Sequence, residues 1–594
     1  MGARGRKLTA AVAVLATAGM CGLGAASAQA QTSLGGPAQP VVVIAAAGRV
    51  SAVEADVAAL GGHVGRALPI ISGFAASVPS DRVAELGAEP GVVSVSPDQK
   101  LTPMSIVPAL GYDPTTDVGS LAQITKLTGA QAAWAAGDTG AGVDVALIDT
   151  GVTPVAGLAG KVLNGPDLSF DSPSAAMTSI DAYGHGTFMA SLIGGRDANA
   201  HASAAGCTTC LNASGYSDTT TFVGVAPDAR IVNVKVGAAD GATDVSQVIA
   251  GIDWVVQHAH DPGVNIRVLN LSFGTQSAQT YLADPLAYAA EQAWRHGIVV
   301  VSAAGNDGTS ALRLADPAYD PTILAVGAVD PSTMTVPSFA QHGTLLREVD
   351  VVAPAVHVLG LRVPGSFIDT LATNTGQLGR FQRGSGTSEA TAVVSGLVAL
   401  LAQRYPTATP DQLKALVNGT ATPVTTVSGT GPLAELINDH YAGNGLINLT
   451  AGLATPLPSA ASATQTATPA AGAGTLEAAR GGVYVQDNGV NLTGEQDIFG
   501  HAFSAATMAG LEATASSWSA GTWNGSRWSG SAWSGSRWST LVWTGTDWAG
   551  SRWSGSRWSG MTWDGSRWSG AGWSGSRWTG ANWDGSRWST YTWN

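Results

Sequence analysis

The sequence predicts an α/β fold: a parallel sheet with helices on both faces, preceded by a small α+β unit and followed by a linker and a repetitive Trp-rich tail. Three observations carry this. Five apolar runs, VDVALID (143–149), RIVNVKV (230–236), IRVLNLSF (266–273), IVVVSAAG (298–305) and ILAVGAV (323–329), lack polar alternation, as strands buried on both faces do. Helical periodicity occupies 245–259, 286–295 and 388–404, between and after those runs, which is the alternation that builds a parallel sheet. From residue 454 the composition changes, first to Ala, Thr, Ser and Pro and then to Trp at every fifth position.

The bulk numbers agree with several folded units. The 594 residues correspond to roughly four units at about 150 residues each. Hydrophobic residues make up 45% and charged residues 12%, with 76 Gly, a balance that supports a core and excludes a mainly disordered or coiled-coil chain. The formal charge is −13; residues 518–594 hold seven Arg against three Asp, net +4, which leaves −17 for the rest. A body that acidic is not a basic nucleic-acid binder.

In chain order, Arg4, Arg6 and Lys7 precede an uncharged apolar stretch (8–26) and a small-x-small pattern, so 1–30 reads as a secretory signal peptide cleaved near Ala30. The competing reading is an uncleaved anchor, against which the weakly hydrophobic Ala/Gly content counts. Cys21 follows Met20, a poor context for lipid attachment. The expected location is therefore secreted or cell-wall associated. After export two cysteines remain, Cys207 and Cys210, expected to form a local disulfide in an oxidising compartment with no second pair to complete a zinc site.

Residues 31–115 contain a compact α+β pattern: strand VVVIA, helix 53–60, strand PIISGFAASV, helix 81–86 and strand VVSVS. Lying behind a signal peptide, this is where a pro-segment sits. The sheet domain spans 116–453. Residues 454–475, largely TPLPSAASATQTATPAAGAG, are too poor in apolar surface to fold and read as an extended linker. Residues 476–512 form a spacer without assigned role, and 513–594 the tail.

In parallel sheets, sites lie beyond the C-terminal ends of the strands. Asp149 ends VDVALID, His185 sits in YGHGT before an apolar helix, and Ser388 sits in GSGTSEATAVVSG at a helix start. Serine is a weak nucleophile at neutral pH; it needs a base, and the base needs an acid to hold its tautomer. Ser388, His185 and Asp149 match those needs. Asn306 closes VVVSAAGN and offers an amide donor for an oxyanion. The remaining histidines considered, His258, His260 and His296, have no matched partner.

Across roughly 120–450 the chain resembles the subtilisin family of serine endopeptidases. The resemblance rests on DTGV at Asp149, GHGT at His185, GVAPDARIVNVKV, LNLSFG (269–274), AAGN at Asn306 and GTSEA at Ser388, in the order Asp, His, Ser. It implies a subtilisin-like fold acting on protein or peptide substrates, with Ser272, Phe273, Gly274, Ala303, Ala304 and Gly305 lining the substrate groove. It implies too that 31–115 is an inhibitor-type propeptide. The chemistry calls for no cofactor, and no acidic loop is specific enough to assign a structural calcium. The chain departs from the family at Glu389, where Met is common, and at Ala392 and Val393, where Pro-His is common. Residues 196–221, with the CTTC pair, read as a loop insertion.

The tail repeats Trp every five residues from Trp518 to Trp593. An odd period gives no single packed face in a flat strand or a helix, whereas a turn in each repeat stacks the Trp in columns, as in a small β-solenoid. Three readings stay open: a structural solenoid; a module whose Trp and Arg meet cell-wall polysaccharide or an anionic polymer; and single-strand stacking, disfavoured by the low tail charge, so no nucleic acid is expected. The rival to an enzyme is a cell-surface binding protein with a non-catalytic scaffold.

Overall fold

The structure, a computed structural model, describes residues 38–97 and 117–527, apart from 47, 69–71, 173, 175, 199–221, 309–310, 312, 345–346, 372–379, 425–440, 483 and 488–489, together with 567–568 and 587–588. The expected signal peptide, the Cys207 and Cys210 pair, the segment before 117 where maturation is expected and most of the tail lie outside the described residues. The chain divides into two compact units, Met1–Thr102 and Pro103–Asn594.

In the first unit, β1 (Ala38–Ala45), β2 (His63–Leu68), β3 (Gly73–Pro79) and β4 (Val92–Pro97) form an antiparallel sheet in the order β2-β3-β1-β4, accompanied by helices Val50–Ala59 and Val83–Gly87. The period-2 pattern of β1 buries Val41, Val43 and Ala45 against Val53, Val57, Phe74 and Leu86. Strand β2 was not expected. Its side chains are almost all exposed, so it carries no apolar alternation, and only its ladder to β3, with His63 opposite Ser77, makes it a strand.

The second unit is built on a seven-stranded parallel sheet. Its strands are β5 (Asp144–Asp149), β6 (Val162–Asp167), β7 (Arg230–Lys235), β8 (Ile266–Leu271), β9 (Val299–Ala303), β10 (Leu324–Val329) and, after a short hairpin of β11 (Gly343–Thr344) and β12 (Arg347–Glu348), β13 (Val351–Pro354). The order is β13-β10-β9-β8-β5-β7-β6. The five expected strands occupy its centre. The two edges, β6 and β13, were missed: β6 is partly exposed and contains Gly and Pro, and β13 has four residues. The expected helices form at Val245–His258, Pro285–Arg295 and Thr387–Arg404, the last buried along nearly its whole length. A further hairpin, β14 (Val358–Leu361) with β15 (Phe381–Gly384), leads into that helix.

The linker expectation for 454–475 is corrected. This segment lies on the body: Ala463 and Ala470 are buried, the Ala470 N–H donates to Glu291 Oε1 (2.7 Å), the Ala471 and Gly474 N–H groups donate to the carbonyls of Leu282 and Ala283, and Tyr281 Oη donates to the Thr468 carbonyl (3.0 Å). A composition poor in large apolar residues excludes an autonomous core, but an extended segment whose backbone groups find partners on an existing surface needs none. The spacer 476–512 is likewise part of the body. Leu476, Ala479, Phe499, Phe503 and Met508 share the main core, and the fully buried Arg480 pairs with Asp244, the N-cap of helix Val245–His258 (2.7 Å). Between them lies the small hairpin of β16 (Gln486–Asp487) and β17 (Val490–Asn491).

The tail begins as a tight meander of β18 (Trp518–Ser519), β19 (Thr522–Trp523) and β20 (Ser526–Arg527). Its turns, Ala520-Gly521 and Asn524-Gly525, have positive φ at both positions (49° and 77°; 45° and 77°), the signature of type I′ hairpins. Trp518 and Trp523 are direct cross-strand partners. Neither stacks in a solenoid of its own: Trp523 is fully buried with Nε1 on Asp253 Oδ2 (2.7 Å), and Trp518 donates to the Ala250 carbonyl (2.8 Å). These two tryptophans anchor the tail to helix Val245–His258. Beyond them, β21 (Arg567–Trp568) and β22 (Arg587–Trp588) pair in parallel.

The anchor carries a pH dependence. Burial pushes the Asp253 carboxyl up to about 7 and raises that of the neighbouring Glu512, on helix Ala505–Glu512, which the Asp253 charge raises further. A carboxyl whose folded pKa exceeds its unfolded value, about 3.9 for Asp, stabilises fully below the unfolded value, and that contribution is lost as pH rises through the folded one. The unfolding temperature is therefore expected to decrease as pH rises from about 4 to about 7, and Asp253→Asn to flatten that slope, as thermal melts across pH will read.

Candidate active site

Asp149 is the last residue of β5, with its carboxylate buried; Oδ1 accepts the Thr150 N–H (2.7 Å). Helix His185–Gly194 starts opposite, and His185 Nδ1 lies 2.8 and 2.9 Å from the two Asp149 oxygens. A carboxylate only accepts, so Nδ1 carries the proton and Nε2 presents its lone pair. Glycine is required at 186: a Cβ there would lie 2.2 Å from the Gly151 carbonyl oxygen and 3.1 Å from Asp149 Oδ1, so any side chain would push the helix away from β5.

Asp181, missed in the sequence, holds this junction. It is fully buried and accepts from the N–H groups of Gly184 (2.6 Å) and Thr187 (2.7 Å) and from the Thr150 hydroxyl (2.8 Å). The Thr150 hydroxyl in turn accepts the Gly186 N–H (2.9 Å). The available signal was an acid four residues before the histidine of GHGT.

Ser388 lies in the first turn of helix Thr387–Arg404, beside the end of β8. Its Oγ donates to the Ser272 carbonyl (2.9 Å), and the Ser272 hydroxyl points back at the Ser388 carbonyl (3.3 Å). The hydroxyl is thus parked; rotation about its Cα–Cβ bond is needed to turn it toward His185, a looseness common before substrate binds. Asn306 follows β9. Its Oδ1 accepts both the Thr387 N–H (2.9 Å) and the Thr387 hydroxyl (3.1 Å), which fixes the amide so that Nδ2 is the free donor, next to Gly386. Thr387 also accepts the Gly305 N–H (3.2 Å), and so serves as the brace of this corner, another residue the sequence reading left unassigned.

Ser272 and Phe273 line a cavity of about 240 Å³ together with Asp149, Thr150, Tyr183, His185 and Asp240. Gly274 lies against the Asp316 backbone, where a Cβ would be 2.8 Å from the carbonyl oxygen. Gly305 has φ +111° and no room for a Cβ, which would sit on Gln341 Oε1. Ala303 is buried at the end of β9. Ala304 belongs to the core, with its backbone bonded to Val326 and Ala315, so it supports the groove from behind instead of lining it. Among the described residues no group of three or more His, Cys, Asp or Glu is placed to hold a metal ion.

Electrostatics around the imidazole are dominated by acids. Burial of the ring opposes its protonation, but the Asp149 charge and hydrogen bond outweigh this, with Glu389 and Asp181 adding to them, and raise the His185 pKa. Burial pushes the Glu389 carboxyl up to about 7, against the pull of His185. A polarised imidazole, a hydroxyl at a helix N-terminus and a braced amide donor are the parts needed for acyl transfer.

Comparison with known proteins follows the same lines. Residues 140–445 match a sequence model of the subtilase family, and residues 10–98 match one of a peptidase inhibitor domain. The chain is 32% identical to the serine protease AprX of Bacillus subtilis over 48% of its length and 62% of that protein, so it spans a little under two thirds of this relative. It is 32% identical to subtilisin DY of Bacillus licheniformis over 53% of its length and 93% of that protein, and 30% identical to subtilisin E of Bacillus subtilis over 66% and 83%. The crystal structure of a cold adapted subtilisin-like serine proteinase is 30% identical, covering 49% of this chain and 86% of that one, with a TM-score of 0.37. Among the described residues no helix is long and apolar enough to cross a membrane.

Proposed function

The chain belongs to the subtilase family of serine peptidases, and from that premise we propose that it is a secreted endopeptidase that uses Asp149, His185 and Ser388 as its catalytic triad and matures by removing its own N-terminal unit. The observation that carries this is the contact of His185 Nδ1 with both Asp149 oxygens, which leaves Nε2 as the base.

Ser388 Oγ attacks the peptide carbonyl carbon while His185 Nε2 takes its proton. The carbonyl π electrons move to oxygen, which the Ser388 N–H and Asn306 Nδ2 stabilise. Collapse breaks the C–N bond, and the imidazolium gives its proton to the leaving amine. Water then enters by the same route and hydrolyses the acyl-enzyme, restoring Ser388. Asp149 orients His185 throughout and is not itself protonated. The first unit fits a propeptide inhibitor: it has its own small core, and it matches an inhibitor-domain family. The same proposal takes 1–30 as the export signal.

Intact mass of secreted wild type and Ser388→Ala, before and after a serine-reactive phosphonate, tests the proposal. The wild type should lack the N-terminal unit and gain one adduct, whereas Ser388→Ala should keep that unit and gain none. A processed, labelled Ser388→Ala protein, or a wild type that is neither processed nor labelled, would overturn it.

A further inference from the structure

Two chain segments flank the corner where Asn306 and Ser388 meet, 272–276 after β8 and 303–307 after β9, and the short stretch Ala315-Asp316 ties them together from below. The Ala315 N–H donates to the Ala304 carbonyl (2.9 Å), while Asp316 and Thr275 exchange backbone hydrogen bonds (2.8 and 3.1 Å). Between the segments lies a narrow slot with Ala315 as its floor: a Cβ at Gly274 would be 2.9 Å from the Ala315 Cβ, and a Cβ at Gly305 3.2 Å from the same atom. Both walls are bare backbone at this level, so the slot admits an unbranched side chain and little else.

Polar groups close one end of it. Gln341 is buried, and its amide is oriented by donation from Nε2 to the Arg313 carbonyl (2.8 Å), so that Oε1 lies against Gly305 and accepts the Asp307 N–H (3.3 Å). Asp307 follows Asn306 directly and is exposed. Between the two acceptors sits a donor from the opposite wall, Gln276 Nε2, 2.5 Å from Asp307 Oδ2 and 3.3 Å from Gln341 Oε1. The backbone of Gln276 is held from behind by the segment after the sheet domain. Thr275 Oγ1 donates to the Ala479 carbonyl (2.5 Å), the Ala278 N–H to the Ala478 carbonyl (2.9 Å), and Gly481 packs where a Cβ would overlap the Gln276 backbone. The wall is thus fixed while the exposed Gln276 side chain can rotate away.

We propose that Asp307 and Gln341 form a recognition site for a cationic substrate side chain, lysine or arginine at the residue before the scissile bond, and that the Gln276 amide is its place-holder in the free enzyme. The proposal rests on the reading of Ser388 and Asn306 above, because the carbonyl they act on belongs to that same residue, whose side chain is thereby delivered to the slot. A methylene stem matches the Gly–Ala walls and floor. An ammonium or guanidinium that takes the position of Gln276 Nε2 meets the same two acceptors, and a charged donor facing a carboxylate bonds more strongly than a neutral amide does. The amide it displaces is exposed and returns to water.

The test is kcat/KM on chromogenic peptides identical except for Lys, Arg, Met or Glu before the scissile bond, with active sites counted by phosphonate titration. The ratio to the Met peptide is the readout, since a general loss of activity or of folded protein cancels in it. Wild type should favour Lys and Arg over Met, and Asp307→Asn should lower both ratios about tenfold, the size of a lost charge-assisted hydrogen bond. Raising the ionic strength should lower them in wild type as well. Gln276→Ala should raise both ratios, because no place-holder then has to leave, and Asp307→Lys should put Glu above Lys. A wild type that does not favour Lys or Arg over Met, or an Asp307→Asn protein that labels fully and keeps the wild-type ratios, would overturn the proposal. Failure of the triad reading looks different, as the wild type then neither labels nor cleaves any of the peptides.

Discussion

Asp149→Asn is expected to leave the protein folded and to lower kcat by about 10⁴-fold, a size taken from measured triads of this kind, subtilisins included. The geometry says why an isosteric change should be so damaging. Asp149 Oδ1 accepts the Thr150 N–H at 2.7 Å, so the amide introduced by the substitution will keep its oxygen there and turn its NH₂ toward His185. That NH₂ stands at the Oδ2 position, 2.9 Å from Nδ1, and the expected result is that Nδ1 accepts from it, which moves the ring proton to Nε2, the nitrogen that has to take the proton from Ser388. The base is removed without displacing an atom. Steady-state kinetics on a chromogenic peptide, beside a thermal melt, will read both halves of the expectation. A kcat within about tenfold of wild type would mean that Asp149 does not set the tautomer, and a melt lowered by many degrees would mean that its main task is structural.

The largest effect on stability is expected from Arg480→Met. The guanidinium is fully buried, bonded to Asp244 (2.7 Å) and to the carbonyls of Gly494 (2.7 Å) and Gln496 (2.6 Å). Asp244 is itself buried and caps helix Val245–His258 through the Ser246 N–H (3.0 Å). Methionine fills much of the volume but strands Asp244 as an uncompensated charge, and breaking a buried pair from one side typically costs about 3–5 kcal/mol. Urea denaturation should show that loss. Adding Asp244→Asn to the same protein should recover part of it, because the stranded charge is then gone. Truncation gives the companion result: a chain ending after 527 should unfold like the full chain, whereas one ending after 454 loses Arg480, Phe499 and Trp523 from the core and should be markedly less stable. If both truncations melt alike, residues 455–527 are an appendage after all.

These cases mark where reading along the chain succeeds. The five central strands are legible because they are buried on both faces and so must be apolar at every position. Asp149 and Asn306 are legible because each stands at the end of such a run, where a parallel sheet presents its side chains to a ligand, whereas Ser272 comes only with the family resemblance. His185 and Ser388 are legible because the glycines before them allow turns and approaches that other residues resist. In each instance the physical demand falls on neighbouring residues, and local spacing records it.

What escapes local spacing is whatever depends on partners far along the chain. Strand β2 is a strand only because β3 offers its free edge. Asp181 matters through a hydroxyl thirty-one residues away and two backbone amides, a geometry that exists once the helix of His185 docks. The Ala- and Thr-rich stretch at 454–475 has no core of its own, yet it is ordered by hydrogen bonds to Tyr281 and Glu291. Trp518 and Trp523 repeat with the tail but are claimed by the body through Ala250 and Asp253. Glu389 is one letter of a motif in the sequence and becomes a buried carboxyl only when Gly384 and Gly386 make room for it. Strand burial and turn chemistry act over a few residues, so the α/β architecture and the candidate triad are written locally, while docking, bracing and electrostatic tuning are set by distances in space that the folded chain alone establishes.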